Sequence, residues 1–208
     1  MIYLISWAAS LLLAKIFLGL RVFGRENIPD KGAFIMASNH ESNADQFILG
    51  VSLPCSKWFA YLAKKELFEG RFKGWYFRKL HAIPLERGES DPSAIKKVLK
   101  ILGEGRPIVM FHEGTRSKGK GLQEAKPGVG FIVYKAGVPV VPAYIEGSYE
   151  AVPEGLGSIR RKKVNVFIGK PVYFRNSDKK GKELYQEISS RIMEDVSKLK
   201  EEYAGKVS

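Results

Sequence analysis

The chain has 208 residues, 45% of them hydrophobic, and a formal net charge of +12. This length supplies the core of one domain, and the basic balance favours acidic partners: anionic lipid, nucleic acid, phosphorylated metabolites or an acidic carrier protein. The single cysteine, Cys55, excludes an internal disulfide, and the three histidines lack the spacing of a zinc site, so we expect neither a disulfide nor a bound metal.

Residues 1–22 form the most hydrophobic segment, with Lys15 as its first charged side chain. The segment is at the lower limit for crossing a bilayer, and no basic residue precedes it as in a cleaved signal peptide. We therefore expect a retained helical membrane anchor in the cytoplasmic leaflet; a single span is the second alternative and a core helix the third. Each alternative places residues 23–208 in the cytoplasm or at the cytoplasmic face of the cell inner membrane or plasma membrane.

Residues 23–208 alternate between two kinds of apolar pattern. Short apolar runs bounded by turn residues predict strands at 33–37, 58–63, 80–85, 107–111, 138–145, 164–168 and 172–174. Stripes at helical spacing predict helices at 45–53, 92–103, 129–136 and 182–203. The alternation predicts a single α/β domain, with a mixed, largely parallel sheet flanked by helices. Pro139 and Pro142 indicate that the strand at 138–145 is an edge strand or has an irregular start.

Residues 71–79 interleave four aromatic residues with four cations. A stacking surface for nucleic acid, a membrane-facing patch, and a helix with its rings in the core are all compatible with this pattern. The last two are favoured, because an anchor precedes the domain. The basic run 160–163 is an exposed loop that could meet phosphate or an acidic partner.

The first polar motif follows the predicted strand 33–37 and contains His40 and Asp45. Residues five apart project from different faces of a straight helix, so these two side chains meet only if His40 lies in the turn before a helix and Asp45 in its first turn. In that arrangement the carboxylate orients the imidazole as a general base for a hydroxyl group. Alternatively, both are ordinary polar residues of a turn that Asn39 or Ser42 caps.

The second polar motif follows the predicted strand 107–111 and contains Glu113, Gly114, Thr115 and Arg116. Gly114 permits a tight turn at an anion, and Arg116 offers a planar fork for a phosphate beside the hydroxyl of Thr115. Glu113 can hold Arg116 or accept from a substrate hydroxyl. Arg87 ends another predicted strand and could supply a second cation. An ordinary turn with a surface ion pair explains this motif equally well when it is taken alone.

Taken together, the two motifs resemble the glycerolipid acyltransferases, and most closely those that acylate 1-acylglycerol 3-phosphate. The resemblance rests on Asn-His-x4-Asp, followed by Phe-x-Glu-Gly-Thr-Arg-Ser, and it extends through the blocks at 82–87, 126–128 and 138–143. It covers about residues 20–175. His112 departs from the proline that is usual in the family, and His81 from a common glycine.

The resemblance implies acyl transfer from a thioester of acyl carrier protein or coenzyme A to the 2-hydroxyl of lysophosphatidic acid, giving phosphatidic acid. In this scheme His40 is the base, Asp45 orients it, and no cofactor or metal is required. The acceptor is held by Glu113, Gly114, Thr115, Arg116 and Arg87. Two alternatives remain: the same chemistry on glycerol 3-phosphate or another lysolipid, and a non-catalytic basic protein that binds anionic lipid or nucleic acid. The second leaves both polar motifs unused, and we expect no nucleic-acid partner.

Overall fold

The structure, a computed structural model, describes residues 1–86, 91–153, 159–174 and 178–203. In these residues the strands are β1 (Arg21–Phe23), β2 (Ile35–Ser38), β3 (Ala60–Lys64), β4 (Ala82–Leu85), β5 (Ile108–Phe111), β6 (Val140–Glu146) and β7 (Asn165–Ile168). The α-helices are α1 (Ile2–Leu18), α2 (Asp45–Ser52), α3 (Arg71–Lys79), α4 (Pro92–Gly103), α5 (Pro127–Ala136), α6 (Ser148–Ala151) and α7 (Gly181–Tyr203).

The seven strands form one sheet in the order β1-β7-β6-β2-β5-β3-β4. Every neighbouring pair is parallel except β6 and β7, so β1 and β7 run against the other five strands. The predicted α/β domain with a mixed, largely parallel sheet is confirmed. Because β2 lies between β5 and β6, with Ser38 opposite both Phe111 and Ala143, the segments that follow these strands emerge together at one edge of the sheet.

Both faces of the sheet are covered by helices. On one face, α1 and α2 pack over a core that includes Phe34, Met36 and Leu49. On the other, α4, α5 and α7 pack over a core that includes Ile35 and Ile192. Strand β2 contributes side chains to both cores, which explains why its sequence is a continuous apolar run rather than an alternating one.

The start of α4 was predicted from Asp91-Pro92, and the structure shows the reason. The carboxylate of Asp91 accepts hydrogen bonds from the backbone N–H groups of Ser93 and Ala94, each at 3.0 Å. These N–H groups have no partner within the helix, so the cap stabilises its first turn. Hydrogen bonds from the Ala94 N–H, the Ser93 hydroxyl and the Glu86 N–H lower the pKa of Asp91 to about 2.

The expectation of an edge strand at 138–145 is wrong, because β6 lies between β7 and β2. Pro139 precedes the strand, but Pro142 lies within it. The carbonyl of Pro142 accepts from the Gly169 N–H on the β7 side, at 2.8 Å. The missing N–H of Pro142 faces the same side, one residue beyond the last paired position, Ala143 opposite Ile168. Pairing on this side resumes only at the isolated bridge between Val140 and Val172, so Pro142 lies at an interruption of the ladder, where a missing N–H is tolerated in a central strand.

Helix α1 packs along one face of the domain through buried side chains such as Tyr3 and Leu18 and through polar groups. The Trp7 indole donates to the carbonyl of Gly50 at 3.1 Å, and the hydroxyls of Ser6 and Tyr76 lie 3.1 Å apart, which joins α1 to α3. The opposite face of α1 exposes apolar side chains: Leu4, Ile5, Leu12, Leu13, Ile16 and Phe17. Among the described residues, no helix combines the length and the apolar character needed to cross a bilayer.

The aromatic and basic stretch 71–79 is helix α3, and its rings divide into two pairs. Tyr76 and Phe77 pack against the core, as the core-helix interpretation requires. Phe72 is 76% exposed and Trp75 is 44% exposed, so these two rings belong to the surface. The surface pair lies on the helix that contacts α1 through Tyr76.

The backbone conformation at His81 explains why a glycine is common at this position in the family pattern. Its φ is +60°, a left-handed conformation that suits glycine and is uncommon for other residues. The imidazole stacks on Trp58, with the ring centroids 5.4 Å apart, and lies 5.5 Å from the Tyr3 ring. The substitution therefore replaces an unstrained turn residue with one that packs beneath the start of α1.

Candidate active site

The two polar motifs meet at the edge of the sheet where β2 and β5 end. The backbone N–H of Ser117 donates to the carbonyl of His40 at 2.7 Å, which joins the second motif directly to the first. The carboxyl ends of parallel strands are the usual location of sites in open α/β sheets. The sequence placed both motifs at strand ends, and the parallel pairing of β2 with β5 brings them together.

His40 and Asp45 are hydrogen-bonded, with Nδ1 2.8 Å from Oδ2. Asp45 is fully buried as the first residue of α2, and the same Oδ2 accepts from the N–H groups of Glu41 at 2.7 Å and Ser42 at 2.8 Å. An ionised carboxylate only accepts, so Nδ1 carries the proton, and Nε2 presents a lone pair. The geometry is the one that the five-residue spacing required: histidine in the turn, aspartate at the helix start.

Hydrogen bonds to neighbouring elements fix the turn that carries His40. The Asn39 side chain donates to the carbonyl of Ile145 at 2.9 Å and accepts from its N–H at 2.8 Å, which ties the turn to β6. The Ser42 hydroxyl donates to the carbonyl of Val152 at 2.6 Å and accepts from the Ala44 N–H at 3.1 Å. Asn39 and Ser42 therefore fix the turn that carries His40, but neither is the helix cap that the alternative interpretation suggested, because the start of α2 has no side-chain cap hydrogen bond.

Phe111, the last residue of β5, stacks on the imidazole of His40. The ring centroids are 4.0 Å apart, and the planes differ by 15°. Sequence reasoning missed this contact, because it depends on which strand pairs with β2. Its only sequence signal is that Phe111 opens the Phe-x-Glu-Gly-Thr-Arg-Ser block.

His40 opens onto a pocket of about 480 Å³ that combines a charged rim with an apolar wall. Arg116 and Gly114 from the second motif line it together with Lys64, the last residue of β3. Its apolar wall includes Leu62, Leu67 and Phe77. Lys64 was not among the predicted residues, although it follows an apolar strand just as the two motifs do.

The other predicted acceptor-binding residues lie elsewhere. Glu113 and Thr115 line a neighbouring cavity of about 500 Å³ on the α5 side, where the Thr115 hydroxyl donates to Gln123 Oε1 at 3.3 Å. Arg87 lies outside the described residues. The structure therefore places Gly114 and Arg116 in the pocket with His40, and Thr115 and Glu113 at the neighbouring cavity, with the Glu113 carboxyl also near the backbone N–H of His40.

Glu113 is a buried carboxyl group beneath the site. Only 1% of the residue is exposed, and neither oxygen has full hydrogen-bond geometry with a partner among the described residues. Burial raises the pKa of Glu113 to about 7, against the lowering effect of the backbone N–H groups of His40 and Gln123. Glu41 has a similar environment: burial, and then the negative charge of Asp45, raise its pKa to about 7. Both carboxyl groups therefore titrate near neutrality.

His112 points away from the pocket and is completely buried on the α7 side. Its Nε2 lies 3.2 Å from the sulfur of Met193, and burial lowers the pKa of His112 to about 4. The side chain is consequently neutral at physiological pH. As for metals, no group of three or more His, Cys, Asp or Glu side chains suited to an ion occurs in the part of the chain that the structure describes.

Comparison with known proteins gives a consistent set of relatives. The family model described as Acyltransferase matches residues 19–146. The 1-acyl-sn-glycerol-3-phosphate acyltransferase of Bacillus subtilis is 33% identical over 156 residues, covering 74% of each chain. The chloroplastic 1-acyl-sn-glycerol-3-phosphate acyltransferase LPAT1 of Arabidopsis thaliana is 30% identical over 184 residues, covering 86% of this chain and 50% of that protein.

A solved structure shares the fold over nearly the whole chain. It is the 1-acyl-sn-glycerophosphate (LPA) acyltransferase PlsC from Thermotoga maritima, with a TM-score of 0.75 and 28% sequence identity. The match covers 95% of this chain and 81% of that one. The similarity therefore includes the sheet and the helices that position His40.

Proposed function

This chain belongs to the acyltransferase family, and we propose that it transfers a fatty acyl group from a thioester to the 2-hydroxyl of lysophosphatidic acid, forming phosphatidic acid for phospholipid synthesis. The observation that carries the proposal is the bonded pair His40–Asp45 at the rim of a pocket with two cations and an apolar wall. A phosphorylated lipid has the complementary parts: an anionic headgroup, a hydroxyl to activate, and acyl chains.

The transfer requires one base and no covalent enzyme intermediate. His40 Nε2 takes the proton from the acceptor 2-hydroxyl while Asp45 stabilises the imidazolium that forms. The acceptor oxygen attacks the thioester carbonyl carbon, and the tetrahedral intermediate collapses with cleavage of the carbon–sulfur bond. The imidazolium returns its proton to the departing thiolate, so the products are an ester and a free thiol, and His40 is neutral again.

Arg116 and Lys64 are the groups we assign to the acceptor phosphate. Both line the pocket with His40, and a guanidinium can bind two phosphate oxygens at once while the ammonium acts as a point charge. Gly114, with a φ of +70°, lets the loop turn tightly beside the anion. The resemblance to the family adds Arg87 to this set.

The donor is a thioester of acyl carrier protein or coenzyme A. Both carriers are acidic, and the net charge of +12 attracts either of them. The apolar wall of the pocket suits a fatty acyl chain, because burying such a chain removes apolar surface from water.

We also propose that residues 1–22 anchor the enzyme in the cytoplasmic leaflet as a monotopic segment, with residues 23–208 as the catalytic domain. The two faces of α1 support this location: one face packs on the domain through Tyr3, Leu18 and two polar contacts, and the other exposes large apolar side chains. Phe72 and Trp75 are exposed aromatic residues of α3, the helix that Tyr76 joins to α1, and Phe77 of the same helix lines the pocket. Interfacial helices bind bilayers through such a face, and aromatic residues favour the headgroup level.

The decisive experiment is acyl transfer by the detergent-purified enzyme, with lysophosphatidic acid and glycerol 3-phosphate as rival acceptors and both thioesters as donors. We expect phosphatidic acid from the parent, and a turnover about 10² to 10⁴ times lower from His40→Ala. His81→Gly is the matched control: it removes an imidazole at the opposite edge of the sheet, where the backbone suits glycine. Near-normal turnover by His40→Ala would refute the assignment of His40 as the base. Transfer to glycerol 3-phosphate alone would show that this molecule, and not lysophosphatidic acid, is the acceptor.

The anchor is tested by flotation with vesicles that contain anionic lipid. Leu13→Ser combined with Ile16→Ser should reduce the bound fraction, because both side chains are exposed on α1. A double substitution of exposed α7 residues, Lys198→Ser with Glu201→Ser, controls for general surface changes. Equal binding by parent and α1 variant would contradict the proposed anchor.

A further inference from the structure

The second motif surrounds the catalytic base from several directions. The Phe111 ring lies nearly parallel to the imidazole of His40, with centroids 4.0 Å apart. The Ser117 N–H holds the backbone carbonyl of His40 at 2.7 Å, and the buried carboxyl of Glu113 interacts electrostatically with its N–H. Together with the bond from Asp45, these contacts leave Nε2 as the free side of the ring.

The stack occupies a fixed place in the sheet. Phe111 is paired with Ser38 in the parallel register of β2 and β5, two residues before His40. This is the last paired position of the two strands, and Ser38 is also paired with Ala143 of β6 on its other side, so the end of β5 that carries Phe111 is held against the strand that leads to His40. A rigid strand end therefore supplies the stacking partner, where a flexible loop could not.

We infer that Phe111 is a positioning residue for the acyl transfer, which holds the plane of the His40 ring and stabilises the imidazolium formed when the base takes the acceptor proton. The inference rests on the proposed function and deepens it. The face of an aromatic ring attracts a charged imidazolium more strongly than it attracts a neutral imidazole. The contact consequently becomes stronger as the proton arrives, and an interaction that strengthens only in the transition state raises kcat rather than lowering KM.

The substitution that isolates this effect is Phe111→Leu. Leucine keeps an apolar side chain and leaves the neighbouring charges of Asp45, Glu113 and Arg116 in place, but it removes the aromatic face. We expect kcat to fall roughly tenfold, within the range of a partly buried cation–π contact, while KM for the acceptor stays within about twofold. Phe111→Tyr keeps the aromatic face and should retain kcat within about threefold.

Phe77→Leu is the matched control, because Phe77 is an aromatic residue of the same pocket that does not stack on His40. If Phe77→Leu lowers kcat as much as Phe111→Leu, the shape of the apolar wall explains the effect and the inference fails. It also fails if Phe111→Leu keeps the parent kcat, or if Phe111→Tyr loses as much as leucine does. Thermal melting of each variant separates these outcomes from a loss of folded protein.

A measurement without turnover separates this inference from the proposed function. A stacked ring shifts the NMR signals of the His40 side chain by its ring current, so these signals should move in Phe111→Leu and stay in place in Phe77→Leu. Unmoved signals would overturn the inference whether or not the enzyme acylates lysophosphatidic acid. A parent that shows the stack but transfers no acyl group would instead refute the proposed function.

Discussion

The turn that carries His40 and the loop at 113–117 lie side by side at one edge of the sheet, but their polar side chains differ in their hydrogen bonding. In the turn, Asn39, Ser42 and Asp45 each hydrogen-bond backbone groups of the turn or of a neighbouring segment. In the loop, Glu113 and Ser117 are buried, and their side-chain oxygens have no hydrogen-bond partner among the described residues. The loop is held mainly through its backbone.

This difference separates two requirements of one site. A base must be oriented before the acceptor arrives, and the hydrogen bonds of Asn39, Ser42 and the Oδ2 atom of Asp45 can provide that orientation, although Asp45 Oδ1 has no partner among the described residues. The loop contributes an exposed glycine and an arginine that meet a ligand, and it tolerates a carboxyl group whose ionisation is unfavourable. We therefore expect substitutions in the turn to change kcat, and substitutions in the loop to change KM or the pH dependence of stability.

Asp45→Asn should give the largest effect and tests the turn. An amide can donate as well as accept, so it no longer fixes the proton on Nδ1, and it cannot stabilise the imidazolium by charge. We expect kcat to fall on the order of 10² to 10⁴, with a smaller change in KM. Asp91→Asn makes the same chemical change at the start of α4, where asparagine also caps well, and should keep full activity. A turnover close to that of the parent would show that the turn does not need the carboxylate.

Arg116→Ala should give the second largest effect and tests the loop. Losing a charge-assisted, two-point contact with phosphate should raise KM for lysophosphatidic acid about 10- to 100-fold and change kcat much less. Lys120→Ala, an exposed cation of the same loop, is the control for charge alone. If both variants raise KM equally, the loop acts through its overall charge, and the phosphate site lies elsewhere.

Glu113→Gln should have the smallest effect, and the quantity that changes is the free energy of unfolding. Because burial raises the pKa of Glu113 to about 7, the folded state keeps a proton that the unfolded chain releases near pH 4.5. The parent consequently loses stability as the pH rises from about 4.5 to 7, whereas the glutamine variant does not. We expect the variant to gain about 2 kcal/mol over the parent between pH 5 and pH 8, measured by chemical unfolding.

Glu124→Gln serves as the control for this last comparison, because it removes an exposed carboxyl group from the same segment. A gain that is the same at both pH values would mean that Glu113 is not protonated in the folded protein. The loop would then resemble the turn, with a carboxylate that the backbone satisfies.

Local rules predicted the features that depend on neighbours in sequence. The cap of Asp91 and the meeting of His40 with Asp45 both follow from helix geometry, which acts over a few residues. The stack of Phe111 on His40 depends on the pairing of strands about 70 residues apart, which spacing does not encode. The prolines led to the wrong expectation of an edge position for β6 for the same reason, because the neighbours of a strand in the sheet are set by the topology.

The second motif shows the same limit of prediction from sequence, here over a span of only a few residues. Its composition indicated an anion site, but Gly114 adopts a φ of +70° and reverses the chain there. Glu113 and Thr115 therefore turn to the α5 side, while Arg116 returns to the pocket. Which residues of such a turn face a ligand depends on backbone angles that residue types alone do not specify.

The outward apolar face of α1 has a consequence for how the reaction rate should be described. If this face lies in a bilayer, as we propose, a lipid acceptor would reach the enzyme by lateral diffusion in two dimensions. The relevant concentration is then the mole fraction of lysophosphatidic acid in the surface, not its amount per volume. Adding inert lipid at constant bulk acceptor should slow the reaction by surface dilution, while the water-soluble thioester obeys ordinary bulk kinetics.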